Sequence, residues 1–207
     1  MTVVALSAAY GAGGSQIGPA LAQRLGVPFV DRGIAIAVAE RLEISVDAAL
    51  AEEERGGGGL LEQLLAGFAG AYTGAPATLP DDVVTPREFH LAAREALLAQ
   101  AATGEGVILG RGAAAALRED LSVLRVRLTG PAERRIEHAM RVRGLDRSAA
   151  KRAMRALDRA HGDYVRRFYD VDIDDPLLYH LVLDATAFGQ DDCVELIERA
   201  VWALRAG

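Results

Sequence analysis

The chain has a single cysteine, Cys193, which excludes an intrachain disulfide and a cysteine-built metal cluster. Cys193 falls in a helical apolar pattern, so a plain core position is expected. No apolar run reaches about 18 residues, the length that a membrane-crossing helix needs. The N-terminal stretch lacks a basic segment followed by a cleavage site, and a cytoplasmic location is expected. An excess of basic charge is missing too: the formal net charge is −6, which argues against a nucleic-acid or membrane-surface partner. The four histidines, His90, His138, His161 and His180, are scattered without a nucleophile to pair with. Lysine is almost absent. Lys151 stands alone against 22 arginines: no lysine lies near the loop in sequence, although a distant one could reach it by folding, and arginines, which bind phosphate bidentately, could take over the phosphate clamp.

What is present reads as one soluble globular domain of 207 residues, half apolar and one quarter charged. Short apolar runs alternate with longer helical ones, which predicts a parallel α/β sheet. Strands are expected over Thr2–Ser7, Val27–Val30, Gly106–Leu109, Ser122–Leu128 and His180–Leu183. Helices are expected over Gln16–Leu25, Arg87–Ala102, Pro131–Arg143 and Asp191–Leu204, with Pro131 opening one and Gly144 closing it. Pro19, just inside the first helix, costs one backbone bond without breaking it. Between the second and third strands lies an unusually long segment, Ile34 to Thr103, interrupted by Gly56-Gly57-Gly58-Gly59. Two readings of it stay open: a helical insertion that closes over a site, and a dimerisation hairpin.

The most informative stretch is Ala8-Ala9-Tyr10-Gly11-Ala12-Gly13-Gly14-Ser15. It follows the apolar run Val3–Leu6 and leads into the helical pattern Gln16–Leu25, the strand–glycine loop–helix order of a phosphate-binding loop. Glycines let backbone N–H groups turn around a phosphate, and the helix N-terminus adds partial positive charge. Against the pattern G-x-x-x-x-G-K-[ST], Gly13 takes the second glycine and Ser15 the Mg2+-binding hydroxyl. Ala8 falls on the first glycine and Gly14 on the lysine, so the full motif is absent.

Other candidates gather at strand ends, where ligands of parallel sheets collect. The second strand runs into Asp31-Arg32 and the third into Gly110-Arg111-Gly112. From Arg134 to Asp175 the chain is rich in arginine, and Asp158-Arg159 followed by Tyr164 and Arg166-Arg167 has the character of an arginine-bearing lid over a phosphoryl-transfer site. The acidic run Asp170, Asp172, Asp174, Asp175 does not match a calcium-loop spacing and is expected to orient lid arginines by ion pairs.

Taken in order, Ser7–Gly18, Val27–Arg32, Val107–Gly112, Asp158–Arg167, Asp174–Tyr179 and Leu181–Asp184 resemble the cytidylate kinase-like family of nucleoside monophosphate kinase relatives. The resemblance spans most of the chain except Asp47 to Leu79. It implies a P-loop NTPase-type, parallel five-stranded sheet flanked by helices in one domain over 1–207. It also implies a helical NMP-binding-like insertion (34–103) and an Arg-rich lid (144–176). It implies transfer of the γ-phosphoryl group of Mg·ATP to a pyrimidine nucleoside monophosphate, CMP or dCMP, with Mg2+ on Ser15. Gly11, Ala12, Gly13, Gly14, Ser15 and Gln16 would hold the ATP phosphates. Asp31, Arg32 and Arg111 would face the acceptor, while Arg111, Arg159, Arg166 and Arg167 would supply catalytic charge. The chain departs from the family at Gly14, at Gly112 in place of an aspartate, and at Ala37 in place of an arginine. Two other readings therefore stand beside the kinase: a nucleotide-binding sensor or assembly protein without turnover, and a phosphotransferase on a non-nucleotide acceptor. The expected partners are ATP and a nucleoside monophosphate, with a homodimer through the insertion if that segment is a hairpin.

Overall fold

Alternation along the strands decides how the layers are arranged. In a computed structural model, which describes residues 2–31, 86–110 and 112–206, five strands form one parallel sheet. They are β1 (Thr2–Ala8), β2 (Phe29–Val30), β3 (Glu105–Leu109), β4 (Val123–Thr129) and β5 (Leu181–Asp184), in the spatial order β2-β3-β1-β4-β5. The helices among the described residues are α1 (Gly14–Leu25), α2 (Pro86–Ala102), α3 (Ala113–Ala116), α4 (Ala132–Arg143), α5 (Arg147–Tyr169) and α6 (Gln190–Ala206). Expected strand and helix positions agree with these to within a few residues. Pro19 lies inside α1, and Gly144 closes α4 in the left-handed conformation at φ 66°.

Successive side chains of a strand face opposite ways. Val4 and Leu6 of β1, with Leu124, Val126 and Leu128 of β4, pack against Ile17 and Leu21 of α1 and Ile197 and Val201 of α6. Cys193 is fully buried in this layer, as its pattern predicted. On the opposite face Val3, Ala5, Ile108 and Val123 meet Ala93 and Leu97 of α2, the short α3, and Val165 and Tyr169 at the end of α5. A third cluster forms outside the sheet, where Tyr10 packs among Ile136, Ala139, Ala150 and Met154 of α4 and α5.

The arginine-rich stretch that reads as a lid contains one continuous helix of 23 residues, α5. Asp146 caps its start, its carboxylate accepting from Ala149 N–H at 2.8 Å, and no proline interrupts it. Of the expected insertion, 34–103, residues 86–102 form α2 against the sheet, whereas its remaining part up to 85 with the glycine run 56–59, and the positions of Arg32 and Arg111, lie outside the described residues.

His90 joins α2 to α5. Its ring stacks on Phe168 at 4.2 Å, meets Tyr169 edge-on, and its Nδ1 lies 3.1 Å from the Tyr164 hydroxyl. Burial, reinforced by Arg94 on the same helix, pushes its pKa below the ordinary histidine value. The unfolded chain then binds the proton more readily, so stability is full above pH ~6.5 and is lost as pH falls through the window below it. His180 shifts the same way through desolvation and Arg125. Urea denaturation between pH 5 and 7.5 should show stability rising with pH, and His90→Gln should make the slope shallower. An unchanged slope in the variant would mean that His90 is not buried in its neutral form.

Candidate functional site

Because all five strands are parallel, the ends of β1, β2, β3 and β4 share one edge, and the glycine loop lies there between β1 and α1. Ala9 N–H ties the loop to β4 through Leu128 O (2.9 Å), and the loop turns back on itself through Ala12 N–H to Ala9 O (3.0 Å). Gly13 caps α1 at φ 76°, and its carbonyl takes the N–H groups of Gln16 and Ile17. Among the described residues, the N–H groups of Gly11, Gly13, Gly14 and Ser15 find no acceptor. These donors sit at the positive end of the α1 dipole, which makes a ready anion cradle. Gly11 must be glycine twice over: its φ is 77°, and a β-carbon there would overlap the backbone carbonyl of Arg135.

Ser15 and Gln16 are exposed at the first turn of α1. The Ser15 hydroxyl has no partner among the described residues. A single protein oxygen next to a phosphate cradle fits Mg2+, which keeps waters and substrate oxygens for most of its coordination. Among the described residues no three His, Cys, Asp or Glu side chains form a group that could hold a metal by themselves. Gln16 Oε1 lies 3.2 Å from His138 Nε2 of α4.

Helices α4 and α5 are fastened to this loop by a charged cluster. Asp158 of α5 accepts from Tyr10 N–H at 2.9 Å and from Arg135 Nη1 at 2.7 Å. Arg135 also donates to Tyr10 O and to Gly130 O, each at 3.0 Å. A second arginine comes from the sheet itself. Arg127 of β4 donates from Nη1 to Ser7 Oγ at 2.8 Å and from Nη2 to Asp174 Oδ1 at 2.7 Å. Tyr179 lies beside it, its hydroxyl donating to Ile173 O at 2.7 Å. Burial raises the Tyr179 pKa, which keeps that hydroxyl a donor. A cavity of about 320 Å³ opens among these groups, bounded by Ala9, Arg127, Thr129, Arg135, Asp158 and Asp174.

The other sequence-derived candidates sit farther out. Asp31 follows β2, half-buried, on the same sheet edge as the loop. Arg159 is 85% exposed and pairs with Asp163 at 3.6 Å. Arg166 pairs with Asp172 at 3.8 Å, and Arg167 lies over the Phe168 ring. None of these three borders the cavity. The acidic run thus serves two kinds of arginine: Asp172 takes a helix arginine as expected, whereas Asp174 takes the strand arginine Arg127. Sequence reading passed over Arg127 and gave Arg135 no special role. A signal for Arg127 was available in Val123-Leu124-Arg125-Val126-Arg127-Leu128, where two arginines alternate with apolar residues in an expected strand.

Comparison with known proteins agrees with this architecture. The chain shares 29% identity over 82 residues with cytidylate kinase of Methanopyrus kandleri, covering 40% of this chain and 42% of that protein. A crystal structure of an uncharacterized protein from Eubacterium ventriosum superposes at TM-score 0.67 with 15% identity, over 97% of this chain and 98% of the other. Shikimate kinase from Bacteroides thetaiotaomicron superposes at TM-score 0.52 with 17% identity, again over 97% and 98%. At such identities the two structures speak for the fold alone, a parallel sheet of the P-loop kinase type. The sequence pattern goes further: the model of the cytidylate kinase-like family matches residues 3–187, and the chain belongs to that family.

Proposed function

We propose that this protein is an ATP-dependent phosphotransferase that phosphorylates a nucleoside monophosphate, with CMP or dCMP as acceptor. The observation that carries the reading is the loop at the end of β1, whose four N–H groups find no acceptor among the described residues, with Arg127 and Arg135 beside the loop. In the reaction an acceptor phosphate oxygen attacks the γ-phosphorus of ATP, the bond to the β-bridging oxygen breaks, and ADP leaves. Such transfer asks the protein for alignment and charge neutralisation more than for covalent chemistry. Gly11, Gly13, Gly14 and Ser15 hold the ATP phosphates in this reading. Mg2+ on Ser15 would neutralise phosphate oxygens. Asp31, Arg32 and Arg111 face the acceptor, and the segment 144–176, which contains α5, is the lid that brings Arg159, Arg166 and Arg167.

The missing lysine has a packing counterpart. A β-carbon on Gly14 would lie 2.5 Å from the Ala8 β-carbon and 3.3 Å from Leu109 Cδ1. The methyl group of Ala8 therefore fills the space that a side chain at position 14 would need. Exchange of small residues at both positions makes the loop self-consistent without lysine, and the charge must come from arginine. This same observation favours a second reading, a nucleotide-binding protein without turnover, if no arginine reaches the γ-phosphate.

ADP formation from Mg·ATP, with CMP, dCMP, UMP, AMP and GMP offered separately, should show turnover with CMP or dCMP. A melting-temperature rise with ATP but no ADP from any acceptor would replace the kinase by the nucleotide-binding reading. Arg111→Ala and Arg159→Ala should each lower kcat/KM, by about 100-fold where the guanidinium meets the transferring group; wild-type rates would remove those assignments. Gly14→Ala should cost about 1–3 kcal/mol through overpacking. In a double-mutant cycle, Ala8→Gly should relieve part of that cost, and additive effects would mean that the two positions do not touch.

A further inference from the structure

Arg127 is an unusual occupant of a central strand. Its side chain is 8% exposed, and its Nε is buried with no hydrogen-bond partner. The carboxylate that neutralises it belongs to Asp174, which is 76% exposed on the segment between α5 and β5. Leaving a guanidinium buried and incompletely paired is costly, and an apolar residue at such a position is often no less stable. A cation kept there, with a partner that solvent can reach, is suited to exchanging that partner.

We propose that the cavity over Arg127 is a subsite for a phosphate monoester, whose oxygens replace the Asp174 carboxylate on Arg127. The local charges favour this exchange. Arg127 and Arg135 face Asp158 and Asp174, so the lining is neutral while both carboxylates stay in place. Asp158 is held by two donors, Tyr10 N–H and Arg135, and remains. Asp174 is held on this side by Arg127 alone, and turning its exposed carboxylate into solvent leaves the lining with one net positive charge. At about 320 Å³ the cavity lies in the range of small-molecule sites, with room for more than a bare anion. Pro176 and Val182 supply an apolar wall for the organic part of the ester. The position beside Ala9 sets the bound phosphate next to the glycine loop. The pocket lies beside β4 and β5, across β1 from Asp31, so this ester is a ligand in addition to the acceptor and the inference does not rest on the phosphotransfer reading.

Calorimetric titration of the full chain without ATP, using CMP, AMP and inorganic phosphate, tests it. At least one monoester should bind more tightly than inorganic phosphate. Asp174→Ala should tighten that ester several-fold, because the competing carboxylate is gone. Arg127→Gln should weaken it by about tenfold or more, the size of one charge-assisted hydrogen bond. Melting curves report whether Arg127→Gln folds, and the exposed Asp174→Ala keeps the test decisive if it does not. Unchanged or weaker ester binding in Asp174→Ala, or no preference for an ester over inorganic phosphate, overturns the proposal. Turnover in the unmodified protein with no effect of Asp174→Ala on ester binding would sink this subsite and leave the kinase reading intact. Tighter ester binding in Asp174→Ala without any turnover would do the reverse.

Discussion

The carboxylate of Asp158 is the contact on which the arrangement of the site depends. One oxygen accepts from the backbone of the glycine loop at Tyr10 and the other from Arg135 of α4, so a single side chain on α5 ties three elements together. Arg135 in turn reaches both Tyr10 O and Gly130 O, at the ends of β1 and β4. The Tyr10 ring is buried in the small core between α4 and α5, which adds an apolar anchor to the polar one. Charge-assisted bonds of this kind are stronger than neutral ones, particularly away from bulk water.

A second constraint comes from glycine and alanine. Gly11 lets the carbonyl of Arg135 approach the loop, and Gly14 with Ala8 lets β1 and α1 pack closely beneath it. Small residues thus do two jobs at once. They leave the N–H groups of Gly11, Gly13, Gly14 and Ser15 available to an anion, and they close the space where a lysine would stand. Cationic charge enters from the side instead, through Arg127 from the sheet and Arg135 from α4. The sheet and its two helical layers are built from other residues and do not need a lysine at position 14.

Much of the fold was legible in the sequence, for identifiable reasons. Apolar alternation marked β1 and β4, helical periodicity marked α1, α4 and α6, and Pro131 and Gly144 bracketed α4 by their own backbone preferences. The glycine loop was legible because its chemistry is local: the residues that bind are the residues that turn. The lid was harder. Arginines at three- and four-residue spacing look the same on a solvated face as over a ligand, and α5 presents both: Arg159 stays in solvent while its neighbour Asp158 turns inward.

By itself the sequence determined the order of strands and helices, the position of the phosphate-type loop and the absence of its lysine, since each follows from residues adjacent in the chain. Which strands became neighbours, and which charges met, was decided only by the tertiary structure. Arg127 pairs with a carboxylate 47 positions away, and Tyr10 N–H with one 148 positions away. No local pattern carries such pairings, because they come from the layering of α4 and α5 over the edge of an open parallel sheet. The chain supplied many arginines of similar appearance; packing chose Arg127 and Arg135 by burying them beside the loop, where a guanidinium must find an anion.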